Sequence, residues 1–190
     1  MDVIRTRATW TKRLLLAPLA VAVVAAVTDV QEYRSPLRES DFYGEVGFVQ
    51  LLLVITVGIA FISWLYAAYQ ALPSTGSTRR FKAWWAIVSW FIPILNLIRP
   101  KQIADEVWKA GHRPALAVPG YVQVWWAGWV TSLLLGNIAG RLYASADTAG
   151  DIQTAAAIYL VSDVADIATA ALAYRFVEDA TSGLERSAAD

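Results

Sequence analysis

Apolar residues gather in long runs along this chain. A hydrocarbon core of about 30 Å is crossed by about 20 mostly apolar helical residues, and three runs meet that requirement. Residues 46–70 carry no charge at all. Residues 121–137 are uncharged, and the run reaches 143 if Arg141 snorkels to the interface. Residues 155–174 are apolar apart from Asp163 and Asp166. A fourth run, 14–28, is shorter, but flanking residues extend it to about 10–30. A fifth, 84–98, is also short and holds Pro93 and Asn96 inside it.

The stretch that follows the fifth run, 100–110, has a different pattern. Proline suits its first turn, Asp105 and Lys109 are spaced to pair at i,i+4, and Gly111 ends it. Ile103, Ala104, Val107 and Trp108 fall on one stripe, which predicts an amphipathic helix lying at the cytoplasmic membrane interface. Residues 72–82, with Pro73, Gly76 and a Ser/Thr cluster, predict a turn. Residues 29–45 form a short outer loop, too small for a folded domain.

Composition agrees with membrane residence. The apolar set makes up 57% of the 190 residues and the charged set only 17%, with a mean hydropathy of +0.43; a soluble domain carries about 25% charged residues. Disorder, coiled coil and nucleic-acid binding are disfavoured. The absence of cysteine removes disulfides and thiolate chemistry, and a single histidine, His112, leaves no metal cluster. No cofactor is implied. The basic N-terminus ahead of an apolar run resembles a signal peptide, with retention as a signal anchor the expected outcome.

Charge placement decides the topology. If 84–98 dips in and returns, or lies along the interface, all but three of the 16 basic residues face one side; Arg34, Arg38 and Arg141 lie opposite. If 84–98 spans instead, the two sides are equal and no orientation is preferred. Basic loops stay cytoplasmic, so the re-entrant reading is favoured, with both termini cytoplasmic. All nine tryptophans then fall in the cytoplasmic half, where indole rings suit the headgroup region. The formal net charge of zero hides a positive inner face and a negative outer one.

The residues Trp64-Leu65-Tyr66 with Tyr69, then Trp90-Phe91-Ile92-Pro93-Ile94, Asn96-Leu97, Pro100, Gln102 and Trp108, carry a likeness. Over roughly 46–175 the chain resembles a bacterial membrane family described as domain of unknown function 4328. The resemblance implies a polytopic bacterial membrane protein and supplies no reaction, ligand or catalytic residue.

Three groups of residues stand as candidates. Asp163 and Asp166 share one face near the bilayer midplane, about 12 and 17 Å into the last helix at 1.5 Å per residue. That face is expected to point at Asn137, as a proton or cation site or as a neutral hydrogen-bonded pair that fixes packing. Pro93 breaks the fifth run, and broken backbone at membrane depth needs burial or a wet cavity. Asn96 and Arg99, continued by Gln102 and Trp108, are therefore candidate ligand or lipid contacts, unless Asn96 only caps freed carbonyls and Arg99 only anchors the turn. Gly128, Ser132, Gly136 and Gly140 recur every four residues as a small-residue seam. It is expected to pack against the Ala-rich final helix, with homodimerisation the alternative. His112 is expected as a headgroup contact.

No catalytic motif is present: Gly76-Ser77-Thr78 lacks the spacing and lysine of a phosphate loop. The expectation is an all-α membrane protein, one polytopic domain over 1–190 with four transmembrane helices at about 10–30, 46–70, 121–143 and 155–175. A re-entrant or interfacial segment at 84–98 and the cytoplasmic amphipathic helix at 100–110 complete it. Its expected role is non-enzymatic: an accessory protein of the bacterial plasma membrane that binds anionic lipid headgroups or a membrane-protein partner at its cytoplasmic face. A small ion-coupled carrier is the alternative.

Overall fold

The computed structural model describes residues 1–36, 41–112 and 116–189. Arg38, counted above with the outer loop, and Arg113 and Pro114, at the return to the membrane, lie outside the described residues. The described residues are helical, with no strand among them. Four long helices are α1 (Asp2–Arg34), α2 (Asp41–Ala71), α6 (Gly120–Ala144) and α7 (Ala149–Ser187). Between α2 and α6 lie a short 3-10 turn (Leu72–Thr75), two single-turn helices α3 (Trp85–Val88) and α4 (Pro93–Asn96), and α5 (Arg99–Ala110).

By length and composition, three helical stretches suffice to cross a membrane: Asp2–Arg34, Glu45–Ala71 and Ala149–Ser187. The expected fourth, within α6, is not among them. It has the length, at 25 residues, but Gln123, three tryptophans, Asn137 and Arg141 dilute its apolar content. The helices also outrun their predicted apolar cores. α7 is continuous for 39 residues where the hydropathy pattern predicts about 155–175, because helical backbone extends past the apolar run into polar turns at both ends. A Thr-x-x-Asp capping box opens it: the Thr148 hydroxyl accepts from the Asp151 amide at 3.2 Å, and Asp151 accepts from the Thr148 amide at 2.9 Å.

The chain groups into two compact units. The first comprises Met1–Leu15, Thr56–Val122 and Ala173–Asp190; the second comprises Leu16–Ile55 and Gln123–Leu172.

The first unit has a packed aromatic core. Its buried positions include 61, 64, 65, 68 and 69 on α2, Leu72 in the turn that follows, and 173, 176, 177, 180, 181 and 184 on α7. Both series follow the three-and-four spacing of one helix face. Trp64 meets Phe176 edge to face at 5.6 Å and donates through Nε1 to Thr181 at 3.1 Å. On α1, Thr11 and Arg7 donate to the Ala60 and Ser63 carbonyls of α2 at 3.1 and 2.8 Å.

α5 belongs to this core, which corrects its expected place at the lipid interface. Ile103, Ala104 and Val107 are wholly buried and Trp108 nearly so. The stripe that suggested lipid is covered by protein. Asp105 pairs with Lys101, one turn before it, and not with Lys109. Gly111 caps the helix as expected.

The second unit inverts this pattern. Phe48, Leu51, Leu52, Val54 and Ile55 of α2, with Val161 and Val164 of α7, are exposed. Polar groups lie inside beside small apolar residues such as Ala25 and Ala139: Asp29, Glu32, Ser132, Ser162, Asp163 and Thr169 are buried. Apolar surface outside and polar groups inside suit a hydrocarbon solvent.

Candidate functional site

In the second unit α6 and α7 pack through small residues. A Cβ on Gly128 would come within 2.6 Å of Thr169 Oγ1, one on Gly136 within 3.7 Å of Ser162 Oγ, and one on Gly140 within 3.2 Å of the Tyr159 hydroxyl. Ser162 donates to the Ser132 carbonyl at 3.2 Å, and the Ser132 hydroxyl donates to Asp166. The predicted stripe on α6 therefore lies along α7.

Asp163 is only 6% exposed. Its Oδ1 accepts from Gln50 Nε2 of α2 at 3.0 Å, and its side chain meets the Asp29 carboxyl of α1. Asp163 Oδ2 is buried and receives no donor among the described residues. None of the ion pairs among the described residues includes Asp163 or Asp166.

Asn137 does not join them. It is exposed on α6 and its amide donates to the Leu133 carbonyl one turn back at 2.8 Å. This corrects the expected grouping: depth along a helix does not fix the direction in which a side chain points. Asp29 and Gln50 take the place expected of Asn137. Gln50 carries a readable signal, an amide side chain inside an uncharged span; Asp29 reads only as the start of an outer loop.

In the first unit the proline break takes the form expected of it. Ile92 is extended at φ −102° and ψ 113°, as the residue before a proline should be, and Pro93 opens α4. Neither α3 nor α4 exceeds 4 residues, so no helix here is long enough to cross a bilayer. Phe91 and Ile94 are each 75% exposed, and Trp84 and Ile98 about half exposed. Beside them the Arg99 guanidinium lies over the Phe81 ring at 4.0 Å and the Trp85 ring at 5.3 Å. The preceding turn is pinned from α5: Glu106 accepts from the Tyr69 hydroxyl at 2.7 Å and from the Arg80 amide at 3.0 Å.

Of the other expected contact residues here, Pro93 is exposed, Asn96 and Gln102 are half-buried, and Trp108 is buried. Trp108 is thereby removed as a lipid contact; its Nε1 donates to Asp179 Oδ2 at 2.8 Å, beside the Tyr121 hydroxyl at 2.7 Å. His112 is also engaged within the protein and is not a free headgroup contact. Its ring stacks on Trp108 at 4.1 Å, with Nδ1 2.8 Å from the Trp108 carbonyl and Nε2 3.4 Å from Asp179 Oδ1. Asp179 thus gathers the ends of α5, α6 and α7, a role invisible in a sequence with no motif around it.

A family model described as Domain of unknown function (DUF4328) matches residues 37–182. No curated protein and no solved structure matches the chain.

Proposed function

The chain belongs to the DUF4328 family, a domain of unknown function, and from its own residues we propose an accessory protein of the bacterial plasma membrane that seats on lipid at its cytoplasmic face. The observation that carries this reading is the exposed apolar surface of 84–98. Phe91 and Ile94 present most of their area outward, and contiguous exposed apolar surface marks an interaction site. On this reading α6 is the fourth span, since 25 residues cover about 37 Å at 1.5 Å per residue. Residues 84–98 lie at the interface or re-enter it, and both termini face the cytoplasm with the basic loops.

The test of seating uses the absence of native cysteine. Phe91→Cys and Ile94→Cys, labelled with a bimane fluorophore in the reconstituted full chain, are quenched by brominated lipid, while the exposed position of Lys109→Cys is not. Equal, weak quenching at all three overturns the reading. Orientation is read with an impermeant thiol reagent on Ser77→Cys and Lys109→Cys in intact cells. Labelling of either from outside overturns the four-span topology.

A second reading, an ion-coupled carrier, is favoured by one observation: Asp29 and Asp163 meet inside the second unit without a donor for Asp163 Oδ2. A conformational change coupled to proton or cation occupancy would then use this pair. Proton uptake by the reconstituted chain, abolished in Asp29→Asn and Asp163→Asn alike, supports it. Folded variants that match the parent in both uptake and carboxyl infrared bands overturn it.

A further inference from the structure

Resting on the lipid-seating reading, we propose that the Arg99 guanidinium binds the phosphodiester of an anionic phospholipid at the bilayer surface on which Phe91 and Ile94 seat. The sequence from 46 to 104 contains no aspartate or glutamate, yet it holds Arg79, Arg80, Lys82, Arg99 and Lys101. Lys101 is taken by Asp105. The other four form no ion pair among the described residues. Glu106 lies at the Arg80 amide, but against it and Asp105 the five basic residues leave the patch net positive, and an anionic headgroup is its chemical complement.

Arg99 is the member built for a specific contact. Phe81 and Trp85 occupy its neighbourhood with ring faces at 4.0 and 5.3 Å. Ring faces attract the cation electrostatically but accept none of the five guanidinium donors in the usual sense. The planar fork lies against the rings with its edge donors unspent among the described residues, the arrangement that suits two parallel hydrogen bonds to a phosphate. Arg80 lies over the same Phe81 ring at 5.1 Å, so that ring carries two cations. Exposed Phe91, Ile94 and Ile98 adjoin Arg99 in sequence, and apolar anchors beside a basic cluster are what an interfacial segment needs. A free phosphate would satisfy the fork but leave those apolar side chains in water. A bilayer lipid satisfies both.

The full chain is reconstituted in nanodiscs of phosphatidylcholine alone or mixed with phosphatidylglycerol, and the lipids retained after mild delipidation are counted by native mass spectrometry. The parent retains phosphatidylglycerol severalfold over phosphatidylcholine, and Arg99→Gln removes that preference. Arg99→Lys, which keeps the charge but loses the fork, also lowers it severalfold and carries the test if the glutamine variant does not fold. A preference unchanged in the folded variants overturns the site. Displacement of phosphatidylglycerol by inorganic phosphate at equal concentration also overturns it, because the fork then takes a free anion. Bimane quenching at Phe91→Cys in pure phosphatidylcholine separates the two ideas. Quenching kept while the preference is absent sinks only the Arg99 site; quenching lost sinks the seating itself.

Discussion

Gly111 and Gly183 meet backbone to backbone. A Cβ on Gly111 would stand 2.7 Å from the Gly183 carbonyl carbon and 2.6 Å from the Leu184 nitrogen; one on Gly183 would stand 2.7 Å from the Gly111 carbonyl oxygen. No side-chain rotation relieves contacts with backbone. Inside a helix, Gly→Ala is ordinarily worth up to about 1 kcal/mol in favour of the protein, whereas overpacking a closed contact costs about 1–3 kcal/mol. The clash should win. Gly183→Ala and Gly111→Ala are expected to lower the unfolding temperature of the detergent-solubilised chain. Gly47→Ala, where a Cβ meets nothing within 4 Å, should leave it unchanged or raise it.

The Asp179 carboxylate accepts from both Trp108 and Tyr121 through one oxygen. Asp179→Ala removes the acceptor for two part-buried donors, and each such loss costs about 1–3 kcal/mol. The expected result is a destabilisation larger than that of Trp108→Phe, which deletes one donor together with its need for a partner. Chemical denaturation in detergent, followed by helicity, orders the two variants; the reverse order would show that Asp179 is not the organising acceptor.

At the α6–α7 seam the obstacle to a larger residue is a side chain, so it can be removed. Gly128→Ala sets a methyl against Thr169 Oγ1 and should lower the yield of folded chain. Thr169→Ala in the same molecule should restore much of it, since residues in contact couple by about 0.5–3 kcal/mol. Strict additivity of the two changes would mean the seam is looser than described.

Thr148 and Asp151 form their capping box at an exposed helix start. Thr148→Ala should cost about 1 kcal/mol, and Thr148→Ser much less. Hydrogen exchange at the amides of residues 149–152 is the sensitive measure, because fraying there need not reach the rest of α7.

The all-helical fold and the broken segment were legible because their causes are local. Pro93 forces Ile92 out of the helix whatever surrounds it. The stripe on α5 was equally plain, but a stripe shows only that something apolar covers it; protein and lipid leave the same pattern. Within α2 the difficulty is the opposite. Residues 46–70 are uncharged throughout, so the series 61, 64, 65, 68 and 69 that faces protein cannot be distinguished from the outward series before it. The meeting of Asp29, Gln50 and Asp163 joins three helices. Spacing on one helix identifies neighbours on that helix alone: it pairs Asp166 with Asp163 and places Asp29 in a loop.

The first unit draws on three separated stretches of chain, the last of them beginning at Ala173. That has a bearing on biogenesis. When residue 172 leaves the ribosome, Trp64 has been made for more than a hundred positions and still lacks Phe176 and Thr181, its ring neighbour and its hydrogen-bond acceptor. The side of Trp64 that meets α7 must wait, uncovered, through the synthesis of α5, α6 and most of α7. A chain halted anywhere before Phe176 therefore leaves the indole without ring neighbour or acceptor on that side, and only the last few helical turns supply both.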